Sequence, residues 1–162
     1  MKKHLHHQQG FTLIELLVVI AIIGILSAVV LASLTTVRSR GNDSAIQTNM
    51  STIRIQAEVY YGGTGGNSYG SATVTTCPTT VVTANGTSVF TDPTITRAII
   101  ATDKTNGTDS TYGTVVCNST PTAYAVQSGL QSGIGTDRYW CIDSAGNAIS
   151  KSSALGSATV CQ

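Results

Sequence analysis

Hydrophobic positions fall into three regimes along the chain. From Leu16 to Val37 no charged residue occurs, and Leu, Ile, Val and Ala dominate these 22 positions. About 20 such residues span a bilayer as a helix, and nothing after Val37 resembles the run. Past Arg38 the pattern changes. Ile46, Met50, Ile53, Ala57 and Tyr60 recur at steps of four, three, four and three. That is an amphipathic helical stripe, whose ordinary use is packing a core, so it predicts a helical face that seats a sheet. Gly41-Asn42-Asp43 reads either as an interruption or, with Asp43 and Ser44 exposed, as continuing helix; Gly62-Gly63-Thr64-Gly65-Gly66 is a stop. Read as one helix, 11–61 would run roughly 75 Å at ~1.5 Å per residue. Half of it would be greasy and half amphipathic, a stalk with a docked head.

From Asn67 onward the hydrophobic positions are short and β-branched, separated by turn residues. Asn85-Gly86 between Thr80-Val81-Val82-Thr83 and Ser88-Val89-Phe90 predicts a hairpin. Asp92-Pro93 before Ile95, Ile99 and Ile100 predicts an N-cap, a proline at the first position and a short helix; the same β-branched residues also suit a strand. Thr122 to Ser128 and Arg138 to Asp143 predict strands, the second turned back by Ser144-Ala145-Gly146-Asn147. The expected class is α+β: a long N-terminal helix packed on a small antiparallel sheet of three or four strands.

Composition narrows the function. Charged residues make up 10% of the 162, and nine Lys+Arg against eight Asp+Glu leave a net charge of +1. No basic field is available to hold nucleic acid, and no acidic tract forms a solvated tail. Much of the polar remainder is Ser and Thr, with 16 Gly, which supply little general acid–base chemistry. No G-x-S-x-G elbow occurs, and no histidine follows His7 to serve as a base. The composition argues against an enzyme.

The apolar run is preceded by a polar head, Met1 to Gly10, carrying Lys2, Lys3, His4, His6 and His7. A secretory signal peptide also begins this way, but its apolar region is usually ~7–15 residues, and no A-x-A-like site closes this one. The helix is therefore expected to be retained, with its short basic end cytoplasmic and the rest outside. Glu15 sits between Ile14 and Leu16 inside the apolar stretch. A carboxylate within a membrane helix usually has a partner or a function.

Gly10-Phe11-Thr12-Leu13-Ile14-Glu15 resembles the processing site of type IV prepilins and type II secretion pseudopilins, and the likeness continues to Leu26. The resemblance is dense over the first thirty-odd residues and covers the remainder only in architecture. It implies cleavage after Gly10 by a prepilin peptidase and N-methyltransferase, with methylation of the new N-terminal Phe11. It also implies polymerisation through the helix. The α-amine released on Phe11 is largely cationic at neutral pH. The Glu15 carboxylate of one subunit can meet that amine on a neighbour and set their axial register. Many major pilins bend this helix at a proline; here no proline precedes Pro78, and Gly24 is the helix-weakening residue. Gly24, Ala28 and Ala32 lie on one face at steps of four, a surface that permits close helix approach. Tyr139-Trp140-Cys141-Ile142-Asp143-Ser144-x-Gly146 likewise resembles the C-terminal strand and turn of many pilin-like subunits.

The four cysteines, Cys77, Cys117, Cys141 and Cys161, all fall in the head. An even number in an exported Ser/Thr/Gly-rich domain points to two disulfides rather than to zinc. Three connectivities are open; Cys77–Cys117 with Cys141–Cys161 is preferred, the second tying the C-terminal tail to a strand. Asp103, Asp109, Asp137 and Asp143 show no D-x-D-x-D-G order and read as turn formers, so no metal or cofactor is expected. Three Asn-x-Thr sequons, at Asn85, Asn106 and Asn118, are expected by chance in so Thr-rich a chain.

The expected organisation is a leader over 1–10, a long helix over 11–61 with its membrane and assembly half at 11–37, and an extracytoplasmic head over 62–162. The expected function is a structural subunit of a type IV pilus or pilus-like filament, inserted in the membrane and then polymerised at the cell surface or in the periplasm. Its partners would be copies of itself, the peptidase, the assembly platform and the membrane. The alternatives are a pseudopilin of a type II secretion or DNA-uptake apparatus, and a monomeric membrane-anchored binding domain.

Overall fold

The computed structural model describes residues 11–70, 77–78, 88–107 and 115–162. The leader 1–10, the Asn85-Gly86 turn and Asp109 lie outside the described residues. Helix α1 runs Leu13–Gly62, passing through Gly41-Asn42-Asp43 without a break. By internal packing the chain divides at Val37. In the first unit every described side chain, from Phe11 to Val37, is exposed.

In the second unit, residues 38–162, the stripe Ile46, Met50, Ile53, Ala57 and Tyr60 is buried as its period requires. Asp92 caps α2 (Pro93–Asn106), its Oδ1 accepting from the Thr94 and Ile95 amides at 2.8 and 3.1 Å. Pro93 occupies the first turn, where no amide is needed. Four strands follow as an antiparallel meander: β1 (Val116–Thr120), β2 (Ala123–Ile134), β3 (Asp137–Asp143) and β4 (Ala148–Lys151). Two-residue turns join the first three, Thr120 pairing with Ala123 and Ile134 with Asp137. Gly135 takes a φ of 62° at the second of these turns, a backbone state that L side chains avoid.

Alternation sorts the sheet's two faces. Tyr124, Val126, Leu130 and Ile142 join the α1 stripe, Ile95 and Ile99 in the main core. Ala125 and Cys141 point the other way and meet Leu155 and Cys161 from the C-terminal tail. The architecture is therefore α+β, a long N-terminal helix and a small antiparallel sheet, with disulfides Cys77–Cys117 and Cys141–Cys161.

Ser88-Val89-Phe90 does not form the second arm of a hairpin. Ser88 makes a single bridge to Gly70, and Val89–Thr91 is a 3-10 turn capped by the Ser88 hydroxyl. That hydroxyl accepts from the Phe90 amide at 3.3 Å; the expected first arm, Thr80-Val81-Val82-Thr83, lies outside the described residues.

Candidate assembly segment

The start of α1 is closed by its own side chains. Glu15 Oε2 accepts from the Thr12 amide and the Thr12 hydroxyl, both at 2.8 Å, and Thr12 Oγ1 accepts from the Glu15 amide at 3.3 Å. This is a reciprocal capping box. Its signal in the sequence is Thr12-x-x-Glu15 before an apolar run. The carboxylate therefore has a role within one chain, and its described hydrogen bonds go to Thr12 rather than to Phe11.

From there to Val37 the helix is apolar around its whole circumference and open on all sides. Phe11 is 92% exposed and Leu13 88%. Among the described residues α1 is the one helix long and apolar enough to cross a membrane. Gly24, Ala28 and Ala32 are exposed on their common face, and a side chain added at Gly24 would meet nothing within 4 Å. The hydroxyls that follow do not interrupt the helix: Ser33 donates to the Val30 carbonyl at 3.0 Å and Thr35 to the Ala32 carbonyl at 3.1 Å.

In the second unit, α1 presents a further uncharged face opposite its buried stripe. Gly41, Ala45, Thr48, Thr52, Ile55 and Val59, spaced by fours and threes, are all exposed, Ile55 at 66%. The helix continues through Asp43, but Asp43 is buried within it, not exposed as the continuing-helix reading expected. It accepts from the Gln131 and Ser132 amides at 2.6 and 3.0 Å and from the Ser132 hydroxyl. Those amides lie where the β2–β3 register shifts between Gly129 and Ile134, so Asp43 replaces the ladder partners that the irregularity removes. Gln131 extends the link, accepting from Asn42 at 2.7 Å and donating to the last carbonyls of α2, Thr105 and Asn106, at 2.8 and 3.1 Å. Asp43 stands three residues before Ile46 and so falls on the face of the buried stripe, but as a polar residue it reads as exposed; its role exists only once β2 is in place.

Three tyrosines pack near the end of α1: Tyr61 on Tyr69 at 4.6 Å between ring centroids, and Tyr69 edge-on to Tyr124 at 4.9 Å. The Tyr69 hydroxyl donates to Glu58 at 2.9 and 3.1 Å. Burial, reinforced by that carboxylate, pushes the Tyr69 phenol up to about 12. Burial also pushes the Tyr124 phenol upward, and no hydrogen bond among the described residues satisfies its hydroxyl.

Two of the aspartates singled out in the head have local partners. Asp137 accepts from the Ser150 hydroxyl at 2.6 Å, and Asp143 holds the β3–β4 turn. Among the described residues no group of three or more His, Cys, Asp or Glu could hold a metal ion. Asn118 is buried with its amide nitrogen donating to the Gly156 and Ala158 carbonyls, both at 2.8 Å, which leaves its sequon closed to a glycan.

A long apolar N-terminal helix and a disulfide-closed antiparallel head define a pilin-like chain. Comparison with known proteins agrees. Residues 5–31 match the family described as the prokaryotic N-terminal methylation motif. The chain is similar to a competence protein, ComGC, of Halalkalibacterium halodurans, with 38% identity over 60 residues, 37% of this chain and 59% of the relative. It is also similar to the type IV wide pilus major component PilA4 of Thermus thermophilus, 52% identical over 42 residues, 26% of this chain and 32% of the relative. The matches thus span between a third and about three fifths of those relatives. No solved structure matches the chain. Residues 5–31 thus carry a methylation motif, and over part of its length the chain is similar to a competence protein and to a type IV pilus component.

Proposed function

We propose that the protein is a non-enzymatic structural subunit of a type IV pilus or pilus-like filament. On this reading 1–10 is a leader, cut after Gly10, and Phe11 is the methylated mature N-terminus. The half of α1 over 11–37 first anchors the chain in the membrane and then packs between copies. The head, 62–162, is extracytoplasmic and faces the outside of the filament. The observation that carries the reading is the ordered string from Gly10 to Glu15 at the head of a helix whose first buried side chain is Asp43.

The physical case is that such a helix has no place in water. A helix apolar on all sides belongs in lipid or in a core made by other chains. Association from lipid gains little classical hydrophobic energy, so it relies on close packing and polar pairing. Gly24, Ala28 and Ala32 offer the close approach. Glu15 offers the polar term, because the cap occupies Oε2 and the same carboxylate can also accept the Phe11 amine of a neighbour. The uncharged face from Gly41 to Val59 extends the surface available to other copies.

The similarity to a competence protein keeps a second assignment open, a pseudopilin of an uptake or secretion apparatus, built by the same helix. Mass spectrometry of the mature N-terminus tests the shared core of both. The expected chain begins at Phe11 with one added methyl group, and Gly10→Val leaves the precursor uncut. A mature terminus beyond Ser33 means removal by an ordinary signal peptidase and overturns the reading.

A further inference from the structure

The string Tyr139 to Gly146 forms a strand and a turn and contains a fully buried carboxylate, Asp143. Asp143 Oδ1 accepts from the Ala145 and Asn147 amides, both at 3.0 Å. Its Oδ2 accepts from the Asn147 side chain at 2.8 Å and from the Cys161 amide at 2.7 Å. One carboxylate therefore folds the β3–β4 turn and grips the residue next to the chain's last, 18 positions away. The tail between them lies as a strap along the sheet face that carries Ala125 and Cys141. Gln127 donates to the Ser153 carbonyl at 3.0 Å and accepts from the Leu155 amide at 2.5 Å. Asn118 holds Gly156 and Ala158. Leu155 is buried against the sheet. Every one of these contacts is non-covalent.

We propose that Asp143 is a positioning residue for the Cys141–Cys161 disulfide. It seats Cys161 over Cys141 before the sulfurs join, and so makes Cys161 select Cys141 over Cys77 and Cys117. The chemistry needs a disulfide oxidant. One thiolate takes a sulfur from it and releases a thiol; the other thiolate displaces the mixed disulfide and releases a second. Two electrons and two protons pass from the cysteines to the oxidant. The rate of the second step depends on how often the two sulfurs meet, and that encounter is what the Asp143–Cys161 contact fixes. A carboxylate serves better than an amide because all four partners are N–H donors. Asparagine would turn an NH2 against one pair of them.

The test is oxidative refolding of the full reduced chain in detergent with oxidised and reduced glutathione. Arg97, Lys104, Arg138 and Lys151 place the four cysteines on separate tryptic peptides, so each pairing is read directly. In Asp143→Asn, Cys141–Cys161 should form on the order of tenfold more slowly, as expected for losing a charge-assisted hydrogen bond. Links from Cys161 to Cys77 or Cys117 should appear, while Cys77–Cys117 keeps its rate. Unchanged formation of Cys141–Cys161, or equal slowing of both disulfides, overturns the proposal. A second measurement holds even if that variant folds poorly. In the chain carrying Cys141→Ala and Cys161→Ala, the residue 161 amide should remain protected from hydrogen exchange. If that amide exchanges freely, the strap is seated by the disulfide alone and Asp143 positions nothing.

Discussion

The two halves of α1 belong to one continuous helix, yet each obeys a different rule. Up to Val37 every side chain is exposed and every face is apolar; after Arg38 a single stripe is apolar and fully buried. Helix propensity does not separate them, since both are helical. What separates them is where the partner comes from. The second half finds its partner in cis, in the sheet and α2. The first half finds none among the described residues, and on the proposed reading lipid or other copies supply it. Its tip is fastened by the Thr12–Glu15 box.

One substitution made in both halves probes this difference most strongly. Ile53 is fully buried and Ile22 is 52% exposed. Ile53→Ala should lower the stability of the head by about 2–5 kcal/mol, whereas Ile22→Ala should leave it unchanged. The sole tryptophan, Trp140, packs against the main core and reports the transition by fluorescence in detergent. Equal effects from both would mean that the halves are not energetically separate.

A smaller effect sharpens the account of the second half. Asp43→Ala strips two backbone amides of β2 of their acceptor, Gln131 and Ser132. Leaving such donors unpaired costs about 1–3 kcal/mol. The loss should be visible as faster hydrogen exchange at those two amides, ahead of the rest of the sheet. Uniform exchange along β2 would show that Asp43 does not hold the irregular register.

The smallest effect is alkaline. Because the folded Tyr69 phenol sits at about 12 and the unfolded value is about 10, the fold favours the neutral form. Its stabilisation is complete below pH ~10 and is lost as pH rises through 12. Tyr69→Phe should make the alkaline loss of head stability shallower, and tyrosinate absorbance near pH 12 should fall by one group. An unchanged slope would place the alkaline sensitivity elsewhere, with Tyr124 or Tyr60, both also raised by burial.

How much of this was legible from residues alone follows the strength of local signals. The α1 stripe was readable because five positions repeat with helical period, and α2 because Asp92-Pro93 is both cap and first turn. β3 was readable from its aromatic and β-branched run. β1, Val116-Cys117-Asn118-Ser119-Thr120, was not, since its sequence is mostly polar and only pairing with β2 and cover by the tail make it a strand. The far end of β2, past Ser128, reads as loop for the same reason; Gln131 and Ser132 are held there by a side chain 88 and 89 positions away. In the candidate assembly segment, Phe11, Glu15, Gly24 and Ala28 stand out as a sequence pattern, and Thr12-x-x-Glu15 encodes the capping box. What those residues meet on another copy is not encoded within one chain.

The central claim, that the first half of α1 is completed by other copies, is tested most directly by electron microscopy of cells expressing Glu15→Gln. Glutamine keeps the capping box, since it too serves at this position, and removes only the charge available to a neighbouring Phe11 amine. The account predicts a mature chain starting at Phe11, present in the membrane at normal level with a folded head, and no filaments. Filaments at wild-type abundance from this variant would contradict it and leave the helix as an anchor alone.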